Sequence, residues 1–372
     1  MRIAWLGHRS AQLGGGMATY SSEITAGLRE RGHHVTFFHH GLDGENPPPA
    51  AEESVPLDST PLMKPLVFQG RRAKRTLVDR LQRHDFDLVH ASFWFSSLDF
   101  NLPRTCRELG IPIVATFHVA FDRRFSLWGG LTNATYRLYA PALSQCDRVI
   151  VFGEAQRETL ASLGVPEERL VILPNGVDVE KYSPGESDWK RRLGASTLFV
   201  YSGRVDSEKN VDDLVQAFLA AEPPQDVRLA IMGNGTERRR LQRLFRDDRV
   251  LFLGHIADEG QRIGILRAAD AFFLPSAVEG LSLSMLEAMA CGTATVATDV
   301  GGDGEALRGA GIVIDPDSLR EQLKLAVSQL LELPWLAGEL GRRARERVLE
   351  RYSLDANVDR LTRLYEELLV RA

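Results

Sequence analysis

Ile3-Ala4-Trp5-Leu6-Gly7, then the stretch 18–31, then His34-Val35-Thr36-Phe37-Phe38, is the part of the chain from which the fold is read. The first and last segments are apolar runs of strand length, and the middle one has helix-length periodicity, so they read as strand, helix, strand. The apolar start is too short for a signal peptide and reads as a buried strand. Outward from this unit the alternation continues, with strand-like runs at 87–91, 112–117, 148–152 and 170–173 and helix-like stretches at 63–84, 96–109 and 131–145. Such alternation predicts a parallel sheet with helices on both faces. The stretch 41–61, inside a proline-rich region, reads as a loop or an excursion.

At Pro174-Asn175-Gly176-Val177-Asp178 and Ser183-Pro184-Gly185-Glu186-Ser187 the pattern breaks into turn residues, as a linker would. Alternation restarts, with strands at 198–202, 227–232, 250–253, 271–275, 294–298 and 311–314. After about 316 the chain reads as helical, and its amphipathic last stretch is placed to return to the first domain. The expected class is therefore α/β with two parallel-sheet domains, over 1–174 and 175–353, and a returning C-terminal helix over 354–372. A chain of 372 residues has room for two such domains. Its 45 Lys and Arg against 50 Asp and Glu give a net charge of −5, which provides no overall attraction to nucleic acid. The cysteines, Cys106, Cys146 and Cys291, are too far apart for a zinc knuckle or a disulfide framework, and with no apolar run of membrane-spanning length a cytoplasmic location is expected.

Open parallel sheets bind ligands at the carboxyl ends of their strands, so the loops there carry the chemistry. Gly14-Gly15-Gly16-Met17 lets backbone N–H groups approach an anion at a helix start, although it fits neither GxGxxG nor a P-loop and also reads as a plain turn. In Gly203-Arg204-Val205-Asp206-Ser207-Glu208-Lys209-Asn210, Arg204 and Lys209 supply two cations where Asn210 is placed to cap a helix, which suits a diphosphate. Arg204 is also spaced to pair with Glu208 on the surface. The block from Ser276 to Gly292 places Glu279 in a glycine-flanked loop, where a carboxylate can accept from two ligand hydroxyls. Glu287 lies on the following helix and has a structural alternative, a capping box with Ser284. His118, ending Thr116-Phe117-His118, reads either as an acid, base or hydroxyl donor or as a packed strand-end residue.

Together, the glycine loop, His118, PNGVD at 174–178, the Arg204–Lys209 loop and Glu279-x7-Glu287 running into EAMACG resemble the retaining nucleotide-sugar glycosyltransferases of family 4. That resemblance implies the GT-B fold, two Rossmann-like domains facing a cleft. It implies that Arg204 and Lys209 hold the donor diphosphate, Glu287 the ribose and Glu279 the sugar hydroxyls, with Gly280, Leu281 and Ser282 lining the donor site. Gly15 and Gly16 would lie near the diphosphate and acceptor, and His118 near the donor sugar. Family members often have Phe-Gly and then Pro where this chain has Leu281-Ser282 and Ser284, which bears on the donor-sugar pocket. The implied reaction moves a hexosyl group, with a UDP-sugar the favoured donor, to a hydroxyl acceptor without metal or other cofactor.

For the acceptor, Arg71 to Arg75 open a basic helix whose Arg72, Arg75, Asp79 and Arg83 share one face, while Ala73, Leu77 and Leu81 share another. This fits anionic lipid at the inner face of the membrane, or simply a solvated face. Phe93, Trp94, Phe95, Trp128, Tyr136 and Tyr139 would serve as stacking rings or as buried packing. A membrane lipid or lipid-linked glycan is the favoured acceptor. The alternatives are a soluble glycan or small molecule, a GT-B sugar-nucleotide epimerase and a non-catalytic binding module.

Overall fold

The computed structural model describes residues 1–7, 15–41, 53–63, 66–83, 85–94, 96–120 and 127–371, and these form two compact units, Met1–Asn175 with Leu354–Ala372, and Gly176–Ser353.

The first unit contains β1 (Arg2–Gly7), α1 (Gly15–Glu30), β2 (His34–Gly41), β3 (Glu53–Asp58), β4 (Thr60–Met63), β5 (Leu66–Phe68), α2 (Arg71–Arg83), β6 (Leu88–Phe93), α3 (Leu102–Leu109), β7 (Ile113–Phe117), α4 (Leu127–Leu143), β8 (Arg148–Val151), α5 (Glu154–Ser162) and β9 (Leu170–Ile172). Seven strands form one parallel sheet in the order β3-β2-β1-β6-β7-β8-β9. Its central strands β6 and β7 are buried along their length because both faces are covered. One face packs on Ala73, Leu77 and Leu81 of α2, Leu102 and Cys106 of α3 and Tyr136 and Tyr139 of α4. The other packs on Tyr20, Ile24 and Leu28 of α1 and on Val358, Leu361, Tyr365 and Leu368 of the C-terminal helix Leu354–Arg371.

Three of the boundaries that differ from those read in the sequence have a clear local cause. Part of the stretch 41–61 is β3, which pairs with β2 from Thr36↔Glu53 to Gly41↔Asp58. It is an edge strand, where Pro56 is tolerated, and it buries only alternate residues. The helix expected from Met63 starts at Arg71, because the chain first forms the antiparallel β4–β5 pair. The helix expected from Ser96 starts at Leu102, after Asp99 has accepted the Trp94 and Ser96 N–H groups, and Pro103 sits in its first turn.

The second unit contains α6 (Trp189–Leu193), β10 (Thr197–Ser202), α7 (Val211–Ala220), β11 (Val227–Met232), α8 (Arg238–Leu244), β12 (Val250–Gly254), α9 (Glu259–Ala268), β13 (Ala271–Leu274), α10 (Leu283–Ala290), β14 (Ala294–Thr298), α11 (Asp303–Leu307), β15 (Ile312–Ile314), α12 (Leu319–Glu332) and α13 (Pro334–Arg351), and the C-terminal helix is α14. Its six-stranded parallel sheet runs β12-β11-β10-β13-β14-β15. Both units are Rossmann-like, as expected.

Candidate active site

In the second sheet β10 and β13 are neighbours, while the chain leaves β10 towards β11 on one side and β13 towards β14 on the other. Crossovers that diverge in this way open a crevice at the carboxyl ends of the two strands. The loops bordering it are joined directly. The Ala277 N–H donates to Glu208 O at 2.8 Å and Asn210 Nδ2 donates to Pro275 O at 2.9 Å. Asn210, at φ 48°, therefore spends its side chain across the crevice and makes no side-chain cap on α7, contrary to the sequence expectation. Its left-handed backbone is one that Asn tolerates better than most residues.

Two groups of charges occupy these loops. Lys209 Nζ donates to Glu279 Oε1 at 2.5 Å, with side chains only 11% and 16% exposed. Ser276 Oγ donates to the same oxygen at 2.8 Å and is itself held by Thr298 Oγ1, which donates to Ser276 O at 2.6 Å. Arg204, 57% exposed, pairs with Asp206 and, at 2.7 Å, with Glu208, so the surface pairing considered from sequence is present. Asp206 also accepts from the Thr236 N–H at 2.8 Å and Thr236 Oγ1 at 3.0 Å. Burial favours protonating Asp206, but these donors and Arg204 outweigh it and keep its carboxyl below the ordinary range.

Helix α10 begins beside this pair. Its cap is Ser282, whose Oγ accepts from the Met285 N–H at 3.3 Å, so the expected Ser284–Glu287 capping box does not form. Ser284 falls inside the helix instead, with its hydroxyl 3.1 Å from Ser282 Oγ. Glu287 is engaged by Tyr182 and Arg262, and burial pushes its carboxyl up to about 7 against their pull. Leu281 is buried, and Gly280 O accepts the Gly302 N–H at 2.5 Å. The Ser282 N–H donates to Asp303 Oδ1 at 2.8 Å. Sequence reading passed over Asp303. The signal was available, since Gly301-Gly302-Asp303-Gly304 is a glycine-flanked acid after a strand, as Glu279 is.

The second unit thus gathers Arg204, Lys209, Glu279, Gly280, Leu281 and Ser282, with Glu287 in its own cluster farther along α10. Gly15, Gly16 and His118 belong to the first unit. Gly15 and Gly16 open α1, whereas Gly14 lies outside the described residues. His118 follows β7, half-buried, with its ring edge-on to Tyr20 at 4.9 Å and tilted on Phe152 at 5.2 Å. Beneath it His90, also missed, is fully buried between Thr116 Oγ1 at 2.8 Å and the Tyr365 hydroxyl at 2.5 Å. Burial, then the charge of His118, lowers its pKa to about 3, which leaves the ring neutral.

The aromatic residues considered for stacking are mostly core. Phe93, Tyr136 and Tyr139 are fully buried and Trp94 is partly so. The Tyr136 hydroxyl donates to Val119 O at 3.0 Å and the Tyr139 hydroxyl to Asp99 at 2.8 Å. Phe95 and the Trp128 side chain lie outside the described residues. On α2, Arg71, Arg72, Lys74 and Arg75 are exposed opposite the buried Ala73, Leu77 and Leu81. Arg72 pairs with Asp58 at 3.2 Å. Among the described residues no helix is long and apolar enough to cross a membrane, and no three His, Cys, Asp or Glu side chains are grouped as a metal site would need.

Residues 14–181 match the family model for Glycosyltransferase Family 4, and residues 196–333 match that for Glycosyl transferases group 1. The glycogen synthase of Mycobacterium tuberculosis is 30% identical over 294 residues, covering 76% of this chain and 69% of that protein. The chain belongs to glycosyltransferase family 4. This glycosyltransferase is also 27% identical to the MMP alpha-(1->4)-mannosyltransferase of Mycolicibacterium hassiacum over 428 residues, 100% of this chain and 99% of that one. Among solved structures, sucrose-phosphate synthase from Thermosynechococcus elongatus has a TM-score of 0.78 at 23% identity and full coverage of both chains. Anabaena HepE in complex with UDP-glucose has a TM-score of 0.79 at 18% identity, covering 99% of this chain and 100% of that one. These likenesses give the fold as GT-B.

Proposed function

We propose that this glycosyltransferase moves a hexosyl group, with retained anomeric configuration, from a nucleotide diphosphate sugar to a hydroxyl acceptor. The Lys209–Glu279 pair carries the reading, because it sets an ammonium and a carboxylate side by side at the carboxyl ends of β10 and β13. Lys209 and Arg204 neutralise the departing diphosphate, Glu279 accepts from hydroxyls of the donor sugar, and Gly280, Leu281 and Ser282 line that sugar's seat. Glu287 holds the donor ribose, and its protonation near neutrality lets it donate as well as accept. Gly15 and Gly16 serve the diphosphate and acceptor, and His118 the sugar.

In the transfer the bond from the anomeric carbon to the phosphate oxygen breaks and the acceptor oxygen bonds to that carbon on the same face. The acceptor's proton passes to the departing phosphate oxygen. The charge developing on that oxygen is met by the two cations, so no metal is assigned. A UDP-sugar is favoured, in keeping with the UDP-glucose held by HepE. The exposed Arg71, Arg72, Lys74 and Arg75 support an acceptor at an anionic membrane surface, a lipid or lipid-linked glycan.

The test is nucleotide release from UDP-, GDP- and ADP-sugars with lipid and glycan acceptors, together with Glu279→Ala and flotation on anionic vesicles. Transfer that survives Glu279→Ala would refute the sugar assignment. Absence from floated vesicles would refute the membrane acceptor. Conversion of the donor sugar with no acceptor present would identify an epimerase instead.

A further inference from the structure

The connection from β14 to α11, Asp299-Val300-Gly301-Gly302-Asp303-Gly304, is built onto the loop that carries Glu279. Gly301 has φ +56°, and a Cβ there would lie 2.1 Å from Glu279 O and 2.5 Å from Gly280 O, so only glycine permits this approach. Two hydrogen bonds of opposite sense then tie the loops, Gly302 N–H to Gly280 O at 2.5 Å and Ser282 N–H to Asp303 Oδ1 at 2.8 Å. Asp303 is fully buried, and its Oδ2 has no hydrogen-bond partner.

We propose that Asp303 is a positioning residue of the transfer site, whose carboxyl fixes the Ser282 N–H and thereby seats Glu279 against Lys209. The proposal rests on the transfer reading above and adds to it a residue that touches no substrate. Burial, and next the charge of Glu279, drive the Asp303 carboxyl well above its ordinary range, while the Ser282 N–H and Lys209 pull it down and lose. This shift favours the neutral carboxylic acid, a form in which Lys209 answers one carboxylate and not two. The charged and titratable groups around Asp303 are Glu279 and Lys209 from the two crevice loops, Asp299 before it, Glu305 on α11 and the Tyr352 phenol at the end of α13. An ionised Asp303 would set a second anion beside Glu279 and weaken the Lys209 pairing.

The test uses the full chain with Asp303→Asn, which keeps a neutral acceptor for Ser282, and Asp303→Ala, which removes it. Turnover of Asp303→Asn should stay within about threefold of wild type, while Asp303→Ala should lose about tenfold to a hundredfold, mainly in kcat. Hydrogen exchange of the 279–285 segment should be faster in Asp303→Ala and unchanged in Asp303→Asn. Wild-type turnover in Asp303→Ala, or equal losses in the two variants, would overturn the proposal. If the wild type turns over no sugar nucleotide, it is the transfer reading that fails. Exchange then decides the positioning claim alone, and unaltered protection of 279–285 in Asp303→Ala overturns it.

Discussion

Replacing Lys209 by Met keeps much of the side chain's bulk and removes its charge. The ammonium lies 2.5 Å from Glu279 Oε1, with both side chains less than a fifth exposed, so the substitution strands a carboxylate that keeps only the Ser276 hydroxyl. Breaking a fully buried pair from one side costs about 3–5 kcal/mol, and the residual exposure and surviving hydrogen bond reduce this to about 2–3 kcal/mol. In a unit of this size that lowers the melting temperature by about 4–12 °C. Adding Glu279→Gln removes the stranded charge, so the double variant should regain most of the loss, with a coupling energy of about 2 kcal/mol. Activity should not follow stability. Without the cation at the leaving group, single-turnover nucleotide release at saturating donor should fall about a hundredfold to a thousandfold in Lys209→Met and stay low in the double variant. Turnover within a few-fold of wild type in Lys209→Met would refute the leaving-group role, and strictly additive stability losses would show that the pair stores no energy.

Arg204→Ala removes an exposed cation paired with Asp206 and Glu208, so thermal unfolding should change by no more than about 1 kcal/mol while turnover falls more than about tenfold; near-normal turnover would remove its phosphate role. The Glu287 carboxyl is raised from 4.5 to about 7 by burial, so its contribution to stability is complete below about 4.5, declines as pH rises and is gone above about 7. Glu287→Gln should flatten that slope by about 3 kcal/mol across chemical-denaturation midpoints, at about 1.4 kcal/mol per pH unit, and an unchanged slope would show that the carboxyl ionises freely. Gly301→Ala places a Cβ 2.1 Å from Glu279 O and should lower donor turnover more than it lowers the melting temperature, a split that an equal loss of both would contradict.

The parallel strands were legible because each is an apolar run between polar turns. β10 runs Thr197–Ser202 where the sequence suggests 198–202, and β14 runs Ala294–Thr298 as read. β3 was not, since an edge strand containing Pro56 shows half the apolar signal. The placement of Arg204, Lys209 and Glu279 on strand-end loops was legible because those loops follow directly on the apolar runs. The partner of Asp303 is a backbone N–H 21 residues away, brought to it only by the β13–β14 register. No spacing rule reports such a contact. For Glu287 only the capping alternative fails: Ser284-x-x-Glu287 satisfies a capping pattern, yet the helix starts at Leu283 and Ser282 takes the cap. Tyr136 and Tyr139, three residues apart on α4, follow the helical stripe that faces the sheet.

In the proposed transfer the pairings of the two cations would give them different parts in holding a diphosphate. Arg204 is exposed on a long stem, and its partner Asp206 has a second set of donors in Thr236, so the guanidinium can leave for a phosphate without stranding that carboxylate. For Arg204 the surface pair and the ligand contact are successive uses of one side chain, and its contribution to binding is a difference between two screened interactions. Lys209 cannot trade in this way, because its departure would leave Glu279 with Ser276 alone. It need not, since an ammonium has three donors and Glu279 Oε1 uses one. The remaining donors can reach phosphate oxygens while the first still orients Glu279 towards a sugar hydroxyl. Under the proposed function one buried pair couples leaving-group charge to sugar orientation, so displacing either member is expected to disturb both.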